Sequence, residues 1–123
     1  MSNQPLAITM GDPAGIGPEI IVKALEDPAT RVFGPVVVIG SASALEQAKA
    51  ICATQLPINR IQTPEEAVEG QVNVLHTGSV EAPIAWGQLR AEYGVAAYEY
   101  VARSIELARL GKISGVVTAP LNK

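Results

Sequence analysis

Apolar residues occur along this chain in short runs that alternate with longer amphipathic segments. The runs Leu6–Met10 and Pro35–Gly40 are apolar almost throughout, as in strands that are covered on both faces of a parallel sheet. Asn59–Ile61 is a weaker candidate strand, Val72–Leu75 a better one, and Ile113–Ala119 predicts a last strand. The pattern therefore predicts a sheet of five strands.

Two amphipathic segments predict the first helices. One runs from Pro18 to about Glu26, and proline is well tolerated in a first helical turn, where its missing N–H has no partner to lose. The second begins after Ser41 or Ser43 and ends near Ala53. A serine is a good N-cap, but the sequence leaves open which of the two acts as one.

The longest helix is predicted from about Gln88 to Leu110, after a loop over Thr77–Trp86. Gly111 follows as a natural C-cap. An apolar stripe, with members every three or four residues, is expected to face the core and consists of Leu89, Tyr93, Ala97, Val101, Ile105 and Ala108.

Strands that alternate with helices are typical of an α/β layered sheet with right-handed crossovers. We therefore expect residues 1–123 to form a single α/β unit. The uncharged run Gly115–Thr118 is expected to be buried in the middle of the sheet and to lead into another helix. Because no residue follows Lys123, we expect the chain to be the amino-terminal part of a longer, two-domain protein.

Composition limits the class of function. Hydrophobic residues make up 48% of the 123 residues and charged residues 17%, a balance typical of globular chains. The formal net charge is −3, and the nine Lys and Arg residues are scattered. Since duplex binding needs a basic stripe, we expect no nucleic-acid partner.

The sequence lacks a signal peptide, a membrane-spanning run and a second cysteine, and these features bear on where the protein is located. Met1–Gln4 lacks the basic and apolar regions of a signal peptide, and no apolar run approaches the roughly 20 residues of a membrane span. Cys52, the single cysteine, is expected to be a small buried thiol in a reducing compartment. One cysteine and one histidine are too few for a zinc site. We expect a soluble cytoplasmic protein.

The segment Gly11–Glu19 lies between the first strand and the first helix and contains three glycines and two prolines. Loops at the carboxyl ends of strands are where open α/β sheets bind ligands, and glycines there allow close backbone approach. No Gly-Lys-Ser/Thr follows, which excludes a P-loop. The dinucleotide fingerprint also fails, because no third glycine follows Gly15 and Gly17.

The run Ile8–Glu19 resembles the opening of the 4-hydroxythreonine-4-phosphate dehydrogenase family, and it is similar to the Gly-Asp-Gly-Ile-Gly-Pro-Glu opening of isopropylmalate and isocitrate dehydrogenases. The ending Val117–Lys123 matches a second motif of the same family. The resemblance implies an isocitrate/isopropylmalate-dehydrogenase-like layered sheet, two domains with a cleft between them, and a homodimer.

The resemblance also implies a chemistry. Members of the family oxidise a secondary alcohol of a small phosphorylated hydroxy-acid with NAD, and the keto acid then loses its carboxylate with the help of a divalent metal. Zinc, magnesium or cobalt is the expected metal. Its histidine ligands are expected beyond residue 123, so no metal ligand is assigned within this chain. The pathway implied is pyridoxal phosphate biosynthesis.

The matching motifs carry over candidate residues one by one. Lys123 is the candidate catalytic residue, because a lysine after a strand end could bind a carboxylate or phosphate, or relay a proton. Substrate or cofactor binding is expected from Gly11, Asp12, Gly15, Gly17, Thr118 and Asn122. Asp12 could equally cap its own loop. His76 lies in no family motif and is interpreted as a partly exposed histidine at a strand end.

Other functions stay open at this point. Related enzymes with the same opening act on 4-phospho-threonate or 4-phospho-erythronate, or on cis-dihydrodiols of aromatic carboxylates, and the substrate is not decided by the motifs. From a different class, the chain could be a non-catalytic fragment that only binds or assembles. The 123 residues by themselves are expected to be inactive.

Overall fold

A computed structural model describes residues 4–78 and 91–119 of the chain. The strands are β1 (Leu6–Thr9), β2 (Val36–Gly40), β3 (Ile58–Ile61), β4 (Val72–His76) and β5 (Gly115–Thr118), and the helices are α1 (Gly17–Glu26), α2 (Ala42–Cys52) and α3 (Ala91–Arg109). Short 3₁₀ segments occupy Pro28–Phe33 and Pro64–Glu66. Each predicted element is present, so the α/β prediction is confirmed.

The five strands form one sheet in the order β3-β4-β2-β1-β5, and every neighbouring pair is parallel. All residues of β2 are buried, which fits its apolar sequence and its place at the centre of the sheet. The chain moves from β1 to β2 in one direction across the sheet and from β4 to β5 in the other. Right-handed crossovers in opposite directions place α1 and α3 on opposite faces.

The helix ends follow the capping chemistry of the sequence. The Oγ of Ser41 accepts a hydrogen bond from the backbone N–H of Ala44 at 3.2 Å, so Ser41 rather than Ser43 caps α2. Pro18 lies in the first turn of α1. Gly111 adopts a φ of 72° directly after α3, the left-handed conformation expected of a glycine C-cap.

The predicted core stripe of α3 is partly wrong. Tyr93 and Ala97 are buried as predicted, but Ile105 is 62% exposed and Ala108 is also exposed. The reason is that apolar residues at three- and four-residue spacing lie on two faces of this helix, and only packing against β1, β2 and β5 selects one. The residues of α3 that are buried are Tyr93, Ala96, Ala97, Tyr100, Ser104 and Leu107.

The prediction that β5 is a buried central strand is also wrong for the part of the chain described. β5 pairs with β1 and occupies one edge of the sheet. Val116 and Val117 are 41% and 49% exposed. An apolar strand is expected where both faces of a parallel sheet are covered, but β5 has one described neighbour, β1, and its valines are half-exposed.

One smaller expectation is corrected, and another falls outside the described residues. Cys52, at the end of α2, is half-buried rather than fully buried. Of the loop predicted over Thr77–Trp86, residues 79–86 lie outside the described residues, and so does the start of the predicted long helix. Over the described ranges, every helix falls short of the length and apolar character that crossing a bilayer requires.

Candidate functional site

The segment Gly11–Glu19, called the glycine loop below, leaves the carboxyl edge of the sheet from β1, between β2 and β5. Thr9, the last residue of β1, lies in register with Ile39 on one side and Thr118 on the other. Two hydrogen bonds extend this pairing beyond the strand, from Met10 N to Ile39 O and from Ala119 N to Thr9 O, each of 3.0 Å. The loop is therefore held between the ends of β2 and β5, where open parallel sheets bind ligands.

Asp12 holds the loop in its conformation. Its side chain is 6% exposed, and its Oδ1 accepts a hydrogen bond from the backbone N–H of Ala14 at 2.8 Å. Gly15 N donates to the carbonyl of Asp12 at 3.0 Å, and Gly11 takes a φ of 78° that favours glycine. Of the two interpretations of Asp12, loop capping is thus present in the structure, and the binding role stays a prediction.

Gly15 and Gly17 serve different purposes in this loop. A Cβ on Gly17 would overlap the carbonyl oxygen of Met10 and lie 3.4 Å from the Cβ of Ala119. Gly17 therefore lets α1 begin directly against the ends of β1 and β5. A Cβ on Gly15 would find no contact closer than 3.4 Å, to the carbonyl of Asp12, so this position has room and its backbone can be approached.

Two buried hydroxyls, those of Thr9 in β1 and Tyr100 in α3, were not identified from the sequence. Thr9 and Tyr100 are both fully buried, and within the described ranges Thr9 Oγ1 and the Tyr100 hydroxyl have no hydrogen-bond partner. Burial raises the pKa of the Tyr100 phenol, and the negative charges of Glu99 and Asp12 raise it further. The Tyr100 phenol therefore keeps its proton at neutral pH. The burial of Tyr100 follows from the packing of α3 against β1. The spacing of apolar residues along α3 does not show which tyrosine becomes buried.

The other residues considered from the sequence are Thr118, Asn122, Lys123 and His76. Thr118 is exposed at the end of β5, beside β1, so the fold brings it to the same edge as the glycine loop. Asn122 and Lys123 lie outside the described residues. The interpretation of His76 as a partly exposed strand-end residue is confirmed, and its Nδ1 accepts a hydrogen bond from Ala42 N at 3.2 Å.

The described residues contain no cluster of metal ligands, and an acidic side chain lies at the start of α1. Within residues 4–78 and 91–119, no three His, Cys, Asp or Glu side chains come together in a group able to hold a metal. Glu19 lies in the first turn of α1, where its negative charge opposes a pyrophosphate that the helix dipole would otherwise attract.

Comparisons with known proteins agree with this geometry. A sequence model described as pyridoxal phosphate biosynthetic protein PdxA matches residues 32–123. The 4-hydroxythreonine-4-phosphate dehydrogenase of Beijerinckia indica is 44% identical over 126 residues, which cover 100% of this chain and 36% of the relative. The D-threonate 4-phosphate dehydrogenase of Cupriavidus necator is 40% identical over 120 residues, 96% of this chain and 36% of the relative.

A solved structure extends the likeness to three dimensions. The crystal structure of a 4-hydroxythreonine-4-phosphate dehydrogenase from Burkholderia phymatum superposes with a TM-score of 0.92 at 40% identity, over 99% of this chain and 38% of that one. The likeness therefore includes β1, the glycine loop and β5. The chain spans little more than a third of the length of each of these relatives.

Proposed function

We propose, since this chain belongs to the family of the pyridoxal phosphate biosynthetic protein PdxA, that the protein oxidises 4-hydroxythreonine 4-phosphate with NAD in a metal-assisted, decarboxylating reaction. The observation that carries the proposal is the glycine loop, held at the carboxyl edge between β2 and β5 with Gly15 open to approach. The relatives are dehydrogenases by name. NAD, the divalent metal and a homodimer remain part of the proposal.

The chain's own residues are assigned binding and positioning tasks. Asp12 keeps the loop closed, and the backbone at Gly15 contacts the substrate. The hydroxyl of Thr118, at the neighbouring strand end, is proposed to hold a polar group of the same molecule. Asn122 and Lys123 continue from β5 and are proposed to complete these contacts. Because the described residues contain no group of metal ligands, no step through a metal is assigned to them.

A second candidate substrate is D-threonate 4-phosphate. A dehydrogenase named for it is about as similar to this chain as one named for 4-hydroxythreonine 4-phosphate. Both substrates carry a phosphate and a secondary hydroxyl, so both suit a loop that makes backbone contacts. A 4-phospho-erythronate or an aromatic cis-dihydrodiol are further alternatives, and a non-catalytic binding role is the alternative from another class.

The deciding experiment measures NADH formation by the protein purified as its gene encodes it. Each candidate substrate is supplied in turn, after treatment with a chelator and after addition of zinc, magnesium or cobalt. We expect metal-dependent NADH formation, with kcat/KM for 4-hydroxythreonine 4-phosphate at least tenfold above that for the others. A reversed order would transfer the assignment to D-threonate 4-phosphate. Reduction of NAD with none of them would favour the non-catalytic role.

Lys123 is tested by two substitutions in the same assay. If Lys123 acts in the transition state, Lys123→Ala lowers kcat, whereas a role in uniform binding raises KM only. Lys123→Arg keeps the charge but cannot release a proton, so rescue by arginine would indicate binding. Unchanged constants in Lys123→Ala would show that this lysine has no part in the site.

A further inference from the structure

The middle of α3 lies at the carboxyl edge of the sheet. A Cβ built on Gly78 would lie 2.8 Å from Glu99 Oε1, so the Glu99 carboxylate lies against the backbone two residues beyond the end of β4. Its neighbour Tyr100 is fully buried, on a helix that packs against β1, β2 and β5. These are the strands whose ends hold the glycine loop. Tyr100 is therefore buried near the level at which this loop leaves β1.

The phenol of Tyr100 extends toward that edge. Because α3 connects the carboxyl end of β4 with the amino end of β5, the amino end of the helix is at the carboxyl edge of the sheet. Helical side chains lean toward the amino end of their helix. Burial, and then the negative charges of Glu99 and Asp12, raise the pKa of the phenol. Asp12, in the glycine loop, is therefore within electrostatic reach of this side chain.

The hydroxyl of Tyr100 is a buried donor that no described residue accepts. The large majority of buried polar side-chain atoms in proteins have a hydrogen-bond partner, and the exceptions include groups that act in catalysis. A buried donor without an acceptor lowers the free energy of unfolding. A benefit from this hydroxyl is therefore expected in the complex with a ligand and not in the stability of the fold.

Asp12 is the acceptor that matches this donor. Its carboxylate is 6% exposed, and its Oδ1 accepts a hydrogen bond from Ala14 N at 2.8 Å. A carboxylate can accept several hydrogen bonds, so this one leaves capacity on Oδ2. Thr9 Oγ1 is also buried and has no partner among the described residues. A hydrogen bond to an ionised acceptor is roughly twice as strong as one between neutral groups, which favours Asp12 over Thr9.

We propose that Tyr100 is a positioning residue for substrate binding, and that its hydroxyl donates a hydrogen bond to the Asp12 carboxylate when substrate occupies the glycine loop. The inference rests on the proposed function of that loop. Gly15 N donates to the carbonyl of Asp12 at 3.0 Å, so a shift of Asp12 toward Tyr100 also moves the backbone at Gly15, the proposed point of substrate contact. A bond made only in the complex strengthens binding without stabilising the free protein.

Calorimetric titration with 4-hydroxythreonine 4-phosphate and D-threonate 4-phosphate tests this on the protein purified as its gene encodes it. Zinc, magnesium or cobalt is present and NAD is left out, so that no turnover occurs. We expect Tyr100→Phe to weaken binding by about fivefold or more, the effect of one net hydrogen bond. Without substrate, its melting temperature at neutral pH should equal or exceed that of wild type. Tyr98→Phe is the matched control, because Tyr98 is on the same helix and 74% exposed, and it should bind as wild type does.

A double-mutant cycle identifies the acceptor. Asp12→Asn keeps an oxygen for Ala14 N but removes the charge, and in that background Tyr100→Phe should change binding by less than about twofold. If Asp12→Asn does not fold, Asp12→Ser also keeps an oxygen near Ala14 N and takes its place. Thr9→Val removes the other buried hydroxyl, and beside it Tyr100→Phe should keep its full effect.

Several results would overturn the proposal. These are binding by Tyr100→Phe within about twofold of wild type, an undiminished effect of that change beside Asp12→Asn, or coupling to Thr9→Val instead. A marked loss of stability in Tyr100→Phe would also contradict it, because the hydroxyl would then have a partner in the free protein. Wild type that binds neither phosphate would overturn it as well, whereas binding without NADH formation would contradict only the proposed dehydrogenase activity.

Discussion

At the scale of single residues, Gly15 and Gly17 belong to one sequence motif but have different surroundings in the structure. Gly17 is needed because any side chain there would meet the carbonyl of Met10, whereas Gly15 has space around it. Asp12 is both a loop cap and a buried charge near a phenol. The motif thus combines packing, capping and open backbone within nine residues.

A matched pair of alanine substitutions separates the two glycines. Gly17→Ala forces α1 away from β1 and should destabilise the protein by about 1–3 kcal/mol, the usual cost of overpacking. Gly15→Ala should change the free energy of unfolding by less than about 0.5 kcal/mol but lower kcat/KM, because the added methyl blocks approach to the backbone. Thermal melts and kinetics on both variants check this. Normal kinetics in Gly15→Ala would reduce the loop to a structural turn.

The burial of Tyr100 is expected to make the stability of the protein fall at alkaline pH. Because burial raises the pKa of its phenol, the folded state keeps the proton at pH values where the unfolded state, with a pKa of about 10, has lost it. The contribution of Tyr100 to stability is therefore constant below about pH 10 and declines above it. Tyr100→Phe should be at least as stable as wild type at neutral pH, since the lost hydroxyl has no described partner.

Denaturant melts across neutral and alkaline pH measure this effect. Tyr100→Phe should lose less stability than wild type as the pH rises. Tyr98→Phe, on the same helix and 74% exposed, is the control and should follow wild type. A marked loss of stability in Tyr100→Phe at neutral pH would show that the hydroxyl has a partner in the complete protein.

At the scale of elements, local chemistry determined the helix ends and the sheet determined the helix faces. Ser41 caps α2 because its side chain reaches Ala44 N, and Gly111 ends α3 because it can adopt a positive φ. The face that α3 buries depends on β1, β2 and β5. The position of β5 at an edge likewise depends on which strands lie beside it.

Replacing Ser41 by alanine tests its role as the N-cap of α2. Ser41→Ala should lower the free energy of unfolding by about 1 kcal/mol, as expected for loss of an N-cap. Ser43→Ala should cost less, because residue 43 is inside α2 and alanine favours helix. Denaturant melts of the two variants give the comparison. A larger loss in Ser43→Ala would contradict the assignment of the cap.

At the scale of the whole molecule, the described residues form one hydrophobic core, yet the sheet has a half-exposed valine edge at β5. The relatives are nearly three times as long as the chain. Under the proposed function, the glycine loop contributes one wall of the active site, and the groups that bind the metal lie outside the described residues.

Residues 1–123 expressed by themselves should therefore not reduce NAD with any of the candidate substrates. The physical reason is that the described residues contain no group of metal ligands and no dinucleotide fingerprint. NADH formation by this polypeptide, with and without added metals, is the measurement. Circular dichroism is the control that distinguishes an inactive folded chain from an unfolded one, and measurable turnover would show that the active site lies within these residues.

The sequence by itself determined the elements, their order, the glycine that ends α3 and the glycine loop, because apolar runs, capping residues and glycines act over a few neighbouring positions. It limited the N-cap of α2 to Ser41 or Ser43, and the structure selected Ser41. The tertiary structure alone decided which face of α3 is buried, that β5 lies at an edge, and that the hydroxyls of Tyr100 and Thr9 are buried. These features depend on contacts between residues far apart in the chain, and local patterns do not encode which distant partners meet.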